Sequence, residues 1–136
     1  MITLDEEQVR DALPWRPLVE ALREMFRTGC EMPVRHHHTM AVPDEPDATL
    51  LLMPAWVPGE YQGVKVANVF PGNADRNMPA ISASYLLSSG RTGELLAILE
   101  GGELTARRTA AASALAADYL ARPDATTLAI VGTGRL

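Results

Sequence analysis

Five short apolar segments in close succession constrain the fold of this sequence more than any other feature. They are VRHHHTMAV, TLLLMPAWV, GVKVANVF, ISASYLLSS and LLAILE, and Pro, Gly, Asp and Asn separate them. Short apolar runs bounded by such residues are typical of β-strands. The turn SSGRTGE before the last segment predicts that it is the second arm of a β-hairpin. The middle of the chain is therefore predicted to form a sheet.

Helical segments precede and follow these strands. Apolar residues recur at helical spacing over residues 5–28, and Pro14 and Pro17 predict that this stretch divides into two helices before ending at Gly29. Glu103 to Ala121 is rich in alanine and predicts a helix that ends before the next proline. A further apolar run, TTLAIVG, predicts one more strand. This order of elements predicts an α+β domain, followed by the start of a further structural unit.

Composition excludes several classes of function. The formal net charge is -5 and no run of lysines or arginines offsets it, which argues against a nucleic-acid-binding surface. The apolar stretches are far shorter than the roughly 20 residues that a membrane-spanning helix needs. Cys30 is the one cysteine, so an internal disulfide is impossible and a cytoplasmic location is expected. The acidic N-terminal segment MITLDEEQVRDAL does not resemble a signal peptide.

Two adjacent arginines lie on the alanine-rich helix. Helical geometry places Arg108 in line with the apolar stripe, so we expect it to point toward the interior. Arg107 lies four residues after Glu103, with which it can pair, and is expected at the surface. A buried guanidinium needs an anion. Arg108 is therefore expected either to pair with an internal carboxylate or to bind an anionic ligand bidentately.

Lys65 poses the same question on a strand. The segment GVKVANVF is largely apolar on both faces, which predicts a central position in the sheet. A lysine on such a strand either extends to an edge or reaches into a cleft. In a cleft its pKa would be easily lowered, which suits proton transfer or carbonyl and imine chemistry.

The segment PVRHHHTM contains an arginine and three histidines. On an extended strand, Arg35 and His37 would lie on one face and His36 and His38 on the other. The histidines then cannot all bind one ion, and the sequence holds no second Cys/His cluster, so no metal site is predicted. For Arg35 the default interpretation is a surface arginine.

The segment LAIVGTGRL passes from an apolar run into Gly132, Thr133 and Gly134. In a dinucleotide-binding turn the first glycine makes the bend and the second lets the backbone approach a pyrophosphate. The third small residue of that motif would fall after the last residue of the sequence. Taken alone, the segment is compatible with a dinucleotide turn or with a strand that ends in a glycine turn.

Together these segments resemble the ornithine cyclodeaminase/μ-crystallin family. The matching pieces are PVR, LLMPAW, GVKVANVFPGN, the block SGRTGELLAILEGGELTARRTAAASALAADYLARPDA, and IVGTGRL. The resemblance implies a homodimeric, two-domain enzyme that uses NAD(P)H. It implies an α+β substrate-binding and dimerisation domain with a mixed sheet over residues 1–122. Residues 123–136 would be the first strand and glycine turn of an α/β Rossmann domain that is cut off.

The resemblance also implies site residues. Arg35, Lys65 and Arg108 would face the carboxylate of a small amino or imino acid, with Lys65 also acting in catalysis. The cofactor would be bound by Arg108, Gly132, Thr133, Gly134 and Arg135.

One departure from the family bears on the substrate. Ornithine cyclodeaminases carry a glutamate two residues before the Met-Pro pair, where this sequence has Leu51. The resemblance therefore favours NAD(P)H-dependent reduction of Δ1-pyrroline-2-carboxylate or Δ1-piperideine-2-carboxylate to the amino acid. Two alternatives stay open. One is an ornithine cyclodeaminase, which forms proline and ammonia; the other is a non-catalytic module that binds a carboxylate or dimerises. We expect the 136-residue fragment to be inactive alone.

Overall fold

The computed structural model describes residues 1–132 of the 136. The strands and helices occur in the order β1 (Ile2–Leu4), α1 (Glu6–Ala12), α2 (Trp15–Thr28), β2 (His36–Met40), β3 (Ala48–Val57), β4 (Tyr61–Val69), a 3-10 helix (Pro71–Arg76), β5 (Ile81–Ser89), β6 (Leu95–Glu100) and α3 (Gly101–Leu120). The three predicted helices and the five predicted central strands are all present. Within residues 1–132, no helix has the length and hydropathy to cross a membrane.

The six strands form one mixed sheet in the order β1-β6-β5-β4-β3-β2. Strands β2 to β6 pair in antiparallel fashion, and β5 and β6 form the predicted hairpin. The short strand β1, which the sequence pattern does not predict, runs parallel to β6 at one edge. The predicted central position of the Lys65 strand is confirmed, because β4 lies between β3 and β5. The α+β class with a mixed sheet is confirmed as well.

The N-terminal helices follow from local signals. Asp5 and Gln8 form a reciprocal capping box at the start of α1, which satisfies backbone donors of the first turn. Helix α1 ends before Pro14, and α2 runs from Trp15 to Thr28 with Gly29 as its C-cap. The predicted division of this region into two helices is confirmed.

Helix α3 lies across one face of the sheet, called here the covered face. Small side chains on that face leave room for the helix, and Ala67 and Ala97 are buried. At the helix start, a Cβ on Gly101 would lie 2.6 Å from the backbone of Ala83, so only glycine permits this approach. The Glu100 carboxylate caps the helix by accepting from the backbone N–H groups of Gly102 and Glu103. The helix therefore starts two residues earlier than predicted.

Helices α1 and α2 pack against α3 rather than broadly on the sheet. Val9 of α1 and Ala111 of α3 are almost fully buried between them. The opposite face of the sheet, called here the open face, carries no helix within residues 1–132. Asn68 and Ser84 lie on this face, but most of its central residues are apolar and partly exposed: Leu50, Leu52, Pro54, Val64, Val66, Leu86 and Ile98.

The strand predicted over TTLAIVG is not formed. Residues 125–132 have no regular secondary structure, and Leu128, Ile130 and Val131 are exposed. A strand requires a neighbour for its backbone hydrogen bonds, and none of the described strands pairs with this segment. The apolar pattern alone therefore does not produce a strand here.

Candidate active site

Lys65 lies at the middle of β4 on the covered face. Its direct neighbours across the sheet are Met53 on β3 and Tyr85 on β5. The ammonium Nζ donates to Thr105 Oγ1 on α3 at 2.6 Å, and Thr105 Oγ1 in turn donates to the carbonyl of Gly101 at 2.5 Å. Lys65 is also the only lysine in the sequence. The strand and the first turns of α3 thus hold one amine between them.

Two arginines lie close enough to Lys65 to affect its charge. Burial lowers the pKa of the Lys65 amine below its usual 10.5, and repulsion from Arg108 and then from Arg35 lowers it further. Because Coulomb repulsion falls with distance, both guanidinium groups lie within the range over which they act on the amine. Within residues 1–132, none of these three cations forms an ion pair with a carboxylate. The cluster can therefore accept an anion from outside the described chain.

Arg35 reaches this cluster from an irregular segment. It immediately precedes β2, so the prediction that it lies within the strand is wrong. From the Glu31–Trp56 bridge to the His36–Leu52 pair the chain advances five residues, while β3 spans only four. The one-residue mismatch means that regular pairing is interrupted between these two points, and residues 32–35 form no strand. The alternation that orders the histidines therefore does not extend to Arg35.

The two arginines of α3 have the opposite environments to those predicted. Arg108 is exposed, whereas only 11% of the Arg107 side chain is accessible. Arg107 donates to the carbonyl of Leu13 and stacks on Trp15, contacts that the helical pattern cannot reveal. Its predicted pairing with Glu103 is confirmed, with Nη1 3.6 Å from the carboxylate. The interior arginine is therefore held by the protein itself, and the exposed one is available to a ligand.

Tyr85 and Thr105 border the cluster, although no sequence pattern singles them out. The phenol of Tyr85 lies across Gly63, where a Cβ would come within 1.9 Å of the hydroxyl. Burial raises the pKa of that phenol, and the nearby Cys30 thiol contributes to the shift. Only the structure reveals both residues. The β4–β5 register places Tyr85 beside Lys65, and the position of α3 on the sheet brings Thr105, three residues before Arg108, to the same place.

The histidines alternate as predicted. The rings of His36 and His38 lie on the same face with centroids 6.2 Å apart, while His37 points to the other face. Among residues 1–132 no group of three His, Cys, Asp or Glu side chains is placed to hold a metal ion.

The glycine turn is described only at its first residue. Gly132 has φ of +107°, a conformation that L side chains rarely adopt and that suits the first glycine of a dinucleotide turn. Thr133, Gly134 and Arg135 lie outside the described residues. Beyond this one backbone angle, the cofactor turn expected from the sequence stays a prediction.

Comparison with known proteins places this arrangement in a family. The family model for ornithine cyclodeaminase/mu-crystallin proteins matches residues 3–136. An uncharacterised protein of Schizosaccharomyces pombe is 47% identical over 137 residues, covering 98% of this chain and 41% of that protein.

Two solved structures have a similar fold. One is an archaeal alanine dehydrogenase dimer with bound NAD, at 32% identity and a TM-score of 0.73, covering 90% of this chain and 38% of that one. The other is Δ1-pyrroline-2-carboxylate reductase of Thermococcus litoralis in complex with NADH and L-proline. It is 30% identical with a TM-score of 0.74, covering 91% of this chain and 39% of that one. The chain thus spans about two fifths of the length of these relatives, and it belongs to the ornithine cyclodeaminase/mu-crystallin family.

Proposed function

We propose that the protein of which this chain forms part reduces a small cyclic imino acid with NAD(P)H. The substrate would be Δ1-pyrroline-2-carboxylate or Δ1-piperideine-2-carboxylate. The observation that carries the proposal is the cluster of Lys65, Arg35 and Arg108, which has no carboxylate partner within residues 1–132. The name and ligands of the Thermococcus litoralis relative support the same chemistry.

The two arginines would bind the substrate carboxylate. A guanidinium presents paired N–H donors that match a carboxylate bidentately, and Arg108 is exposed and available to do so. Arg35 would approach from the irregular segment before β2. Binding between the covered face of the sheet and α3 would fix the ring of the substrate, and such positioning can supply several kcal/mol of the lowered barrier.

Lys65 would act on the C=N group. Its amine is half-buried and lies beside two positive charges, so its pKa is below the usual value and it gives up a proton more readily. We propose that Lys65 contacts the carboxylate and keeps the imine protonated, directly or through water. Bound NAD(P)H would supply the hydride for the C=N carbon. Gly132, Thr133, Gly134, Arg135 and Arg108 would hold that cofactor.

Leu51 favours reduction over ornithine cyclodeamination. It lies on β3 opposite Ala67, two residues from Met53 and therefore on the same face as Lys65. The family resemblance places the glutamate of ornithine cyclodeaminases at this position. An apolar side chain here suits a substrate that has no distal ammonium group, because it leaves such a group without a partner.

The test is NAD(P)H oxidation by the full-length protein with freshly prepared Δ1-pyrroline-2-carboxylate. We expect saturable oxidation, and we expect Arg108→Ala to remove it while the protein stays folded. Arg91→Ala, at the exposed turn between β5 and β6, is the matched control and should retain activity. Release of ammonia from ornithine without net NADH consumption would instead support the cyclodeaminase. Saturable carboxylate binding with no turnover of either substrate would support the non-catalytic module.

We further propose that residues 1–122 form the substrate-binding and dimerisation domain and that residues 123–136 begin the Rossmann domain. The apolar open face of the sheet supports a homodimer, since a contiguous exposed apolar surface is usually an interface. The description of the archaeal relative as a dimer supports it as well.

A further inference from the structure

We infer that Thr105 is a positioning residue that fixes the ammonium of Lys65 through a one-way hydrogen-bond chain ending on the backbone of α3. The inference rests on the proposed function for its catalytic consequence. The chain runs from Lys65 Nζ to Thr105 Oγ1 at 2.6 Å and from Thr105 Oγ1 to the carbonyl of Gly101 at 2.5 Å.

The direction of this chain follows from the number of protons available. A threonine hydroxyl has one proton, and Thr105 donates it to the Gly101 carbonyl. The oxygen can then only accept from Lys65. One N–H of the lysine is thereby committed to the helix, and its remaining N–H groups are left for a ligand. The orientation of those groups is set by α3.

The anchor of the chain is rigid. Gly101 lies against the backbone of Ala83, with no room for a side chain between them. The carbonyl that orients Thr105 therefore belongs to the tight contact between α3 and β5. A lysine side chain has several rotatable bonds, and attachment to a fixed acceptor removes much of that freedom.

The surroundings of Lys65 give Thr105 an electrostatic role as well. The charged and titratable groups that face the amine are Arg108 on α3, Arg35 before β2, and Tyr85 on β5. The arginines repel the ammonium, and the phenol is neutral because burial raises its pKa. Within residues 1–132, Nζ donates its hydrogen bond to the Thr105 oxygen. An acceptor stabilises the charged form of an amine, so Thr105 offsets part of the loss caused by burial and repulsion.

The direction in which removal of this acceptor should shift the pKa of Lys65 follows from this. Without Thr105 Oγ1 the pKa of Lys65 falls further below 10.5. A rate that requires the ammonium would then decline at a lower pH than in the unmodified protein. A merely structural role for Thr105 would not move this limb of the profile.

The experiment compares Thr105→Val with Thr105→Ser in the full-length protein. Valine keeps the volume and removes the hydroxyl, whereas serine keeps the chain of hydrogen bonds. For Thr105→Val we expect kcat/KM for Δ1-pyrroline-2-carboxylate to fall about 10-fold and the alkaline limb to move about one pH unit lower, as for loss of a hydrogen bond to a charged group. Thr105→Ser should restore both quantities, and the KM for NAD(P)H should not change. If Thr105→Val does not fold, Thr105→Ala is compared in the same way.

A second measurement separates this inference from the proposed function. The pKa of the Lys65 amine is measured by NMR of 13C-labelled lysine, with the signal assigned by its loss in Lys65→Arg. We expect a lower pKa in Thr105→Val than in Thr105→Ser. Equal values in the two variants would overturn the inference. Absence of imino acid reduction by the unmodified protein would overturn the proposed function, while the NMR comparison would still decide the role of Thr105.

Discussion

The guanidinium carbon of Arg107 lies 4.0 Å from the ring centroid of Trp15. The same side chain donates from Nε to the carbonyl of Leu13 at 2.9 Å and pairs with Glu103 on its own helix. Leu13 follows α1, and Trp15 begins α2. One largely buried arginine therefore holds the junction of two helices against the third.

Loss of Arg107 should destabilise the fold without acting on the site. We expect Arg107→Ala to lower the free energy of unfolding by about 2–3 kcal/mol, from the lost charge-assisted hydrogen bond, ring contact and packing. Arg108→Ala, one residue later and exposed, should change it by less than about 0.5 kcal/mol. Urea denaturation of both variants measures the difference. Equal stability losses would show that Arg107 has no special part in the helix junction.

Glu103 should make the fold sensitive to acid. Its carboxylate is buried and accepts from Arg10 at 3.1 Å, and this hydrogen bond, with the charges of Arg10 and Arg107, holds its pKa below the usual 4.5. A carboxyl whose folded-state pKa is depressed stabilises the protein at neutral pH. That stabilisation is lost as the pH falls through the folded-state value.

Comparison with Glu103→Gln tests this contribution. We expect the unmodified protein to be more stable at pH 7 and the difference to narrow below about pH 4.5, where the unfolded carboxyl becomes protonated. Glu94→Gln, on the exposed β5–β6 turn, is the control and should have little effect. A stability difference that stays constant from pH 7 to pH 3 would contradict the lowered pKa of Glu103 in the folded protein.

The sequence predicts the parts of this fold that depend on local pattern. The strands from β2 to β6 and the helix stop at Gly29 are each determined by alternation or by turn residues, and the structure confirms them. The short strand β1 escapes prediction because three residues are too few to establish a period and its partner lies more than ninety residues away.

The site is less predictable from the sequence, because contacts with residues distant in the chain decide where its side chains lie. The helical pattern places Arg108 in line with the apolar stripe, but contacts with the carbonyl of Leu13 and the ring of Trp15 draw Arg107 inward instead. Arg35 lies in a segment where regular pairing with β3 is interrupted, which only the strand register reveals. Thr105 and Tyr85 join the site through the helix crossing and the strand register. None of these relationships is encoded within one segment.

The open face of the sheet should govern self-association. We expect the full-length protein to be a dimer and Val66→Glu, at the centre of that face, to shift it toward the monomer, because a charge there would have to be buried at the interface. Light scattering coupled to gel filtration measures the mass. Thr92→Glu, on the exposed turn, should leave it unchanged. A folded Val66→Glu variant that stays dimeric would place the interface elsewhere.

Gly63 and Tyr85 should be strongly coupled in stability. A Cβ at residue 63 would lie 1.9 Å from the Tyr85 hydroxyl and 2.4 Å from the ring carbon that carries it, so Gly63→Ala forces the phenol out of its place. We expect this variant alone to lose about 1–3 kcal/mol of unfolding free energy, as overpacked sites do. Tyr85→Phe should not relieve the loss, because the ring itself still clashes.

Tyr85→Val removes the ring and provides the decisive comparison. In that background Gly63→Ala should cost less than about 0.5 kcal/mol, because the space above residue 63 is then empty and a glycine within a strand is itself unfavourable. The double-mutant cycle should therefore give a coupling of about 1–2 kcal/mol. Additive losses would mean that the phenol does not lie across Gly63 in solution. Since Tyr85 is the direct neighbour of Lys65, the function proposed above predicts that the same variants change the KM for the imino acid more than the KM for NAD(P)H.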